Sequence, residues 1–283
     1  VRGDVNPGLF ERMGQRMKQD NPGRLVGYHP FGRTSSSLWF HEAKWLDFNL
    51  FQSGHRRYDQ TELGAWDDNA AAEGCFGEDC WRYVERDYGK KPAKPVLDGE
   101  PSYEWVVQGL HDKKQPYWKA ADVRRYAYWN VFAGAAGHTY GHNSIMQFYD
   151  NLSEEGAFGA RYLWSDAVHH PGGAQMIHLK RLMQSVDLTH GRPAGDYLLE
   201  EQGGKYDYIS VFAGEDFLFA YTYTGRTISL SLEHYQGKKL GAYWLDPVTG
   251  LQTFICDVTG RMQMEFRPPE REDGTDALLV IRT

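Results

Sequence analysis

The chain has no apolar run near the ~20 residues needed to cross a bilayer, no excess of positive charge and only three cysteines. Each absence removes a class of function. Without a spanning stretch the sequence reads as a soluble globular chain with no transmembrane segment. With 31 Lys and Arg against 38 Asp and Glu the net charge is −7, whereas a nucleic-acid binder shows a clustered basic excess; no nucleic-acid partner is expected. No HExxH motif occurs, and no Gly-rich phosphate fingerprint follows any predicted strand. Cys75 and Cys80 flank a short acidic turn, CFGEDC, that would close a small disulfide in an exported chain. That loop has no histidine, which argues against zinc.

What is abundant is aromatic and glycine: 9 Trp, 18 Tyr, 14 Phe and 31 Gly. Rings with a polar edge suit sites that are half apolar and half wet, sugar sites among them. For any single ring, packing in a core is the alternative.

Along the first two thirds, helical and strand-like segments alternate. A helix is predicted from Pro7, with Leu9, Phe10, Met13 and Met17 on one face and a stop at Asn21-Pro22-Gly23. Strands are predicted at Leu25 to Tyr28, Trp45 to Phe51, Pro95 to Leu97 and Gly134 to Tyr140. Further helices are predicted over WRYVERDYG, from an N-cap at Asp122 through Asn130, and from Pro171 to Leu188. Each strand ends in polar residues. Such alternation argues for a parallel α/β architecture, and polar clusters at strand C-termini are where (β/α)8 barrels place their chemistry.

The pattern changes near Ala194. Seven strand-like segments follow, from Tyr208 to Phe212 through to Ala277 to Ile281, with turn signals every few residues, as in an antiparallel β-sandwich. The expected fold class is therefore α/β plus all-β, with residues 1–194 a partial (β/α)8 barrel and 195–283 the sandwich. About 190 residues are too few for a barrel of about 250. The VRGD start reads as the exit of strand 4, so strands 4 to 8 are expected here, with strands 1 to 3 in a missing N-terminal barrel half.

Glycoside hydrolysis needs two carboxyl groups, one on each side of the scissile bond. The strand-end candidates are Asp4 and Glu100. Taken singly, Asp4 also reads as an acid favoured by the dipole of the helix that starts at Pro7, and Glu100 as a partner for a nearby lysine. Around them His29, Gln52, His55, Tyr103, Glu104, His138, Tyr140 and His142 follow strands and offer donors and acceptors to sugar hydroxyls. Histidines satisfied within the barrel layers are the alternative. A metal-dependent hydrolase would need three or four such ligands to converge, but no acidic pair stands at ligand spacing. No metal and no cofactor are expected.

The segments YHPFGRTSS (Tyr28 to Ser36), WLDFNLFQSGH (Trp45 to His55), KPVLDGEPSYE (Lys94 to Glu104), DVRRYAYWNVFAGAAGHTYGHNSIMQFY (Asp122 to Tyr149) and PGGAQMIHLKRLM (Pro171 to Met183) resemble the apiosidase-like family of glycoside hydrolases. The tail, with its WLDPVTG turn (Trp244 to Gly250), resembles the small sandwich labelled a collagen-binding domain that follows those barrels. The resemblance implies a (β/α)8 barrel plus sandwich and hydrolysis of an apiosyl linkage in pectin side chains. It implies Asp4 as acid/base, in Arg2-Gly3-Asp4 where the family has Gly-Gly-Asp, and Glu100 as nucleophile in Gly-Glu-Pro, with Glu104 as the fallback. A retaining glycosidase on an oligosaccharide substrate, periplasmic or secreted after removal of a leader, is the resulting expectation. The rival is a non-catalytic glycan- or matrix-binding protein with a degenerate barrel.

Overall fold

The computed structural model describes residues 6–60, 76–270 and 276–283. Its chain divides into two compact units. One holds the described residues up to Trp118 together with Gly134–Ala167; the other holds Lys119–Ala133 and Val168–Thr283.

The first unit opens with helix α1 (Pro7–Asp20), which has Pro at its first position and the Asn6 side chain accepting from Gly8 N–H at 2.9 Å. These are the start signals the sequence carries. The buried face differs from the expected one. Gly14 lies under the Trp45 ring, so closely that a Cβ would meet it at 2.3 Å, and Phe10 packs edge-on to Tyr28. Leu9, Met13 and Met17, one turn apart, stay about half exposed. A close helix-to-ring approach needs a residue without a side chain, and a count of apolar residues does not register it.

The expected strand over Leu25 to Tyr28 is not a regular strand. It is an extended segment tied to Asp47, whose N–H donates to Val26 O at 2.9 Å and whose carboxylate accepts the Val26 N–H at 2.6 Å. A side chain thus takes the bond a neighbouring strand would have made. After helix α2 (Ser37–Phe40), strand β1 (Asn49–Phe51), helix α3 (Cys80–Tyr88), strand β2 (Val96–Asp98) and strand β3 (Gly137–His138) complete a parallel sheet in the order β1-β2-β3. Phe51, Asp98 and His138 align across it, as do Leu50, Leu97 and Gly137. Strands β1 and β3 are shorter than expected, three and two residues, while β2 has the expected length one residue further on. Helix α3 buries Cys80, Tyr83, Val84 and Asp87, the i, i+3, i+4, i+7 spacing of one helix face, and Tyr83 stacks on Phe51. Cys75 lies outside the described residues, and with it the expected Cys75–Cys80 pairing. Short helices α5 (Asn143–Met146) and α6 (Trp164–Ala167) close this unit.

The second unit contains helices α4 (Ala120–Phe132) and α7 (Pro171–Gln184) with the C-terminal sheets. Asp122 is not the N-cap of α4 but its third residue; its carboxylate accepts the Lys119 N–H at 2.8 Å and so closes a capping box. Strands β4 (Arg192–Pro193), β5 (Ile209–Ala213), β6 (Phe217–Thr222), β7 (Ile228–Ser231), β8 (Gly241–Leu245), β9 (Gln252–Asp257), β10 (Gln263–Phe266) and β11 (Ala277–Arg282) follow the seven predicted segments, with β4 added. They form a six-stranded antiparallel sheet, β4-β5-β6-β11-β8-β9, and a β10-β7 pair. Val211, Leu218, Ala220, Leu279 and Ile281 of the large sheet join Ile228, Leu230 and Phe266 of the pair in one apolar core. On the alternate residues, Phe219 and Tyr221 meet α4: Tyr128 stacks on Tyr221 at 4.6 Å, and Phe132 on Phe212 and Phe219. This is the period-2 division of a strand buried on both faces. Arg124 of α4 forms a bidentate pair with Asp276, both bonds 2.9 Å, and also donates to Gln175 of α7.

Candidate active site

Glu100 lies two residues beyond β2. Its position is set by the backbone on each side: Gly99 N–H donates to Phe51 O at 2.8 Å, and Gly54 N–H to Glu100 O at 2.9 Å. Gly54 allows this approach, since a Cβ there would lie 2.7 Å from the Pro101 backbone. Asp98, fully buried, accepts from Ser53 Oγ at 2.5 Å and from Glu100 N–H at 3.3 Å. Its carboxylate joins the exits of β1 and β2. Ser53, Gly54 and Asp98 were not singled out from sequence; the second acid two residues before Glu100 was the available signal.

Three side chains converge on the Glu100 carboxylate. Gln52 Nε2 donates to Oε1 at 2.8 Å, His55 Nε2 stands 3.1 Å from the same oxygen, and His29 Nε2 is 3.3 Å from Oε2. The nearby-lysine alternative for Glu100 is replaced by this set. The tautomers follow from the outer partners. Tyr103 N–H donates to His55 Nδ1 at 3.4 Å, so Nδ1 is the acceptor and Nε2 carries the proton toward Glu100. His29 Nδ1 faces the Pro30 carbonyl at 2.9 Å while Nε2 faces the carboxylate, so each ring nitrogen meets an oxygen acceptor. The Glu100 side chain is 27% exposed, so a substrate can reach it.

The loop that follows His29 is fastened to β1 by Arg33 N–H to Gln52 O at 2.7 Å and Ser36 N–H to Leu50 O at 2.8 Å. Beneath it Asp87 of α3 accepts from Ser35 and Ser37 hydroxyls at 2.5 and 2.6 Å. A buried carboxylate with such donors holds its loop in one geometry. The run Ser35-Ser36-Ser37 was legible only as loop composition.

Tyr103 lies edge-on to His55, ring centroids 5.0 Å apart, and its hydroxyl pKa is raised by burial, with the Glu100 and Asp98 charges adding to the effect. Gly141 makes room for that ring; a Cβ would lie 2.2 Å from it. A second cluster stands beside the first. Buried Glu104 accepts the Tyr140 hydroxyl at 2.6 Å, and its backbone pairs with Gly141 and Asn143 around His142. The His142 ring caps α5 by accepting Ser144 N–H at 3.1 Å.

His138 is the outlier among the expected substrate contacts. It shares a row with Phe51 and Asp98, and among the described residues no hydrogen bond links its ring to Glu100 or to any other group. Its ring nitrogens are shielded from solvent, and burial pushes its pKa down to about 3. It is a neutral imidazole. Asp4 lies outside the described residues. Among those described, no three His, Cys, Asp or Glu side chains are grouped to hold a metal ion, and no helix is long and apolar enough to cross a membrane.

Parallel strands whose carboxyl ends gather carboxylate, imidazole and amide groups form an α/β unit with its polar groups where such folds place their chemistry. The comparisons with known proteins make this specific. Residues 1–190 match the family described as "Apiosidase-like, catalytic domain", and the chain belongs to that family. Residues 193–282 match a family described as "Putative collagen-binding domain of a collagenase". The whole chain is similar to a solved glycoside hydrolase, with 42% identity and a TM-score of 0.91. It is equally similar in structure to a glycoside hydrolase family 5 from Bacteroides vulgatus ATCC 8482, with 38% identity and a TM-score of 0.91. It spans 62% and 61% of those two chains, about three fifths of each. No protein of curated function matches the chain.

Proposed function

We propose that the protein is a glycoside hydrolase in which Glu100 is the nucleophile and Asp4 the general acid/base of a retaining mechanism. The observation that carries this reading is the Glu100 carboxylate, partly open to solvent and held by Gln52, His55 and His29. Contacts from three side chains on two loops fix its direction, and a nucleophile needs a fixed trajectory toward the anomeric carbon. In the first step Glu100 attacks that carbon while the acid protonates the leaving oxygen; in the second, water displaces the carboxylate with the acid now acting as base. Tyr103, Glu104, Tyr140 and His142 line the sugar subsite in this reading, while His138 stays a neutral ring in β3.

The parallel order β1-β2-β3 supports strands 6 to 8 of a barrel whose strands 4 and 5 come from residues before β1, with residues 1–194 as the barrel part and 195–283 as the sandwich. The family supports a pectin-type oligosaccharide with an apiosyl linkage as substrate, and an exported protein. The test is turnover of pectin-derived oligosaccharides by the full-length protein, with product anomers read by NMR. Retained configuration is expected, and Glu100→Gln lowers kcat/KM by at least about 10³-fold with the fold unchanged. Wild-type turnover in Glu100→Gln would sink the assignment.

A further inference from the structure

Beyond Glu104 the exit loops of β2 and β3 are laced together. Asn143 Nδ2 donates to Trp105 O and Phe158 O, both at 2.9 Å, and Val107 N–H to Phe158 O at 3.3 Å. Aromatic rings follow this lacing outward from the site. Trp105, next to Glu104, meets Tyr162 edge-on at 4.7 Å and Tyr117 at 5.7 Å. Two residues past Tyr162 stands Trp164, which meets Phe148 at 6.2 Å with the rings 73° apart.

The Phe148–Trp164 pair is unusual in two independent ways. Phe148 is 71% exposed and Trp164 40%, and among the described residues the Trp164 indole N–H makes no hydrogen bond. Phe148 also has a left-handed backbone, φ 48°, a conformation that costs a non-glycine residue of order 1–3 kcal/mol. Trp105 and Phe158, on the same loops, share it at φ 61° and 52°. The strain is built in locally. Phe148 N–H donates to Ile145 O, Tyr149 N–H to Ser144 O and Trp164 N–H to Tyr149 O at 3.2, 2.9 and 2.8 Å, so the two rings are carried on a fastened loop. A backbone strained to hold a ring in water gains nothing from packing in return.

We infer that Phe148 and Trp164 form a remote stacking subsite for an outlying sugar unit, which makes the preferred ligand an oligosaccharide rather than a single sugar. The inference rests on the carbohydrate reading above. A pyranose presents C–H bonds to a ring face and hydroxyls at its rim, matching an exposed ring flanked by a free indole N–H. The polar neighbours Asp150 and Asn151, and the hydrogen bonds that fasten the loop carrying these rings to the segment following Glu104, favour a glycan over an apolar protein surface. Binding energy from a sugar unit that does not itself react helps orient the one that does.

The test uses the full-length protein and titration calorimetry with pectin-derived oligosaccharides and with their constituent monosaccharides. The ratio of oligosaccharide to monosaccharide affinity falls about tenfold in Trp164→Ala and in Phe148→Ala, and Trp164→Phe, which keeps a ring, restores it. Should Trp164→Ala fail to fold, Phe148→Ala at the more exposed position carries the measurement. An unchanged ratio in a folded Phe148→Ala overturns the subsite and leaves the patch as a protein contact; so does an absence of oligosaccharide binding by the wild type. Turnover on the same samples reports separately. Oligosaccharide bound in a ring-dependent way but never cleaved supports the subsite and sinks the hydrolase reading, whereas cleavage with an unchanged ratio does the reverse.

Discussion

The two units of this chain spend their buried volume differently. In the first, strands of two or three residues and the loops that leave them carry Asn49, Ser53, Asp98, Glu104 and His142 at or near full burial, each tied by hydrogen bonds to a neighbouring segment. In the second, strands of four to six residues bury Val211, Leu218, Ala220, Leu230, Leu279 and Ile281, and a fully buried side chain of this kind contributes roughly 1.5–3 kcal/mol. Buried polar groups add little net stability yet cost much when left unpaired. The first unit therefore places its polar groups where directions matter, around Glu100, while the second is stabilised mainly by apolar area. Specificity of geometry and stability of fold are housed in separate parts of one chain.

The largest departure from that division is the Arg124–Asp276 pair inside the apolar second unit. Both side chains are almost fully buried, with Tyr221 OH also 3.2 Å from Asp276. Asp276→Ala leaves a buried guanidinium uncompensated and is expected to cost about 3–5 kcal/mol in equilibrium urea unfolding. A loss under about 1 kcal/mol would show that the second unit tolerates polar defects as well as the first, and the comparison would fail.

A smaller effect is expected at His138 in the first unit. Its pKa of about 3 in the folded protein lies below the unfolded value of about 6.5, so the unfolded chain binds the extra proton. Stability from this group is complete above about pH 6.5 and falls as pH drops toward 3. Between pH 6.5 and 5 the loss is about 2 kcal/mol at 1.36 kcal/mol per unit. In His138→Asn the acid limb of the stability curve between those pH values flattens by that amount. A curve with unchanged slope would place the acid sensitivity elsewhere.

Legibility in the sequence followed the same division. Strands β5 to β11 of the second unit were visible because each is long enough to show alternation between turns, whereas β4, two residues long, was not. In the first unit the strands are too short for a period to emerge. The Leu25 to Tyr28 segment looked like a strand from its apolar content, while its edge bond is taken by Asp47. Gln52, His55 and Glu100 were legible as polar residues at strand ends, and the structure gathers them. Their register was not legible, and register separates His29, which reaches Glu100, from His138, which lies in the row of Phe51 and Asp98. Glycines that permit close approach, Gly14 beneath Trp45 and Gly141 beneath Tyr103, carry no signal a hydropathy pattern can show. The Asp122 position differed by three residues because a capping box and an N-cap place an acid at opposite ends of the same first turn.

The central claim is that Glu100 forms the covalent bond to sugar. Treatment of the full-length protein with a mechanism-based fluorinated glycoside, followed by peptide mass spectrometry, tests it directly. The account predicts one glycosyl adduct, on the peptide containing Glu100. An adduct on Glu104 or on any other carboxylate, with Glu100 unmodified, would contradict it.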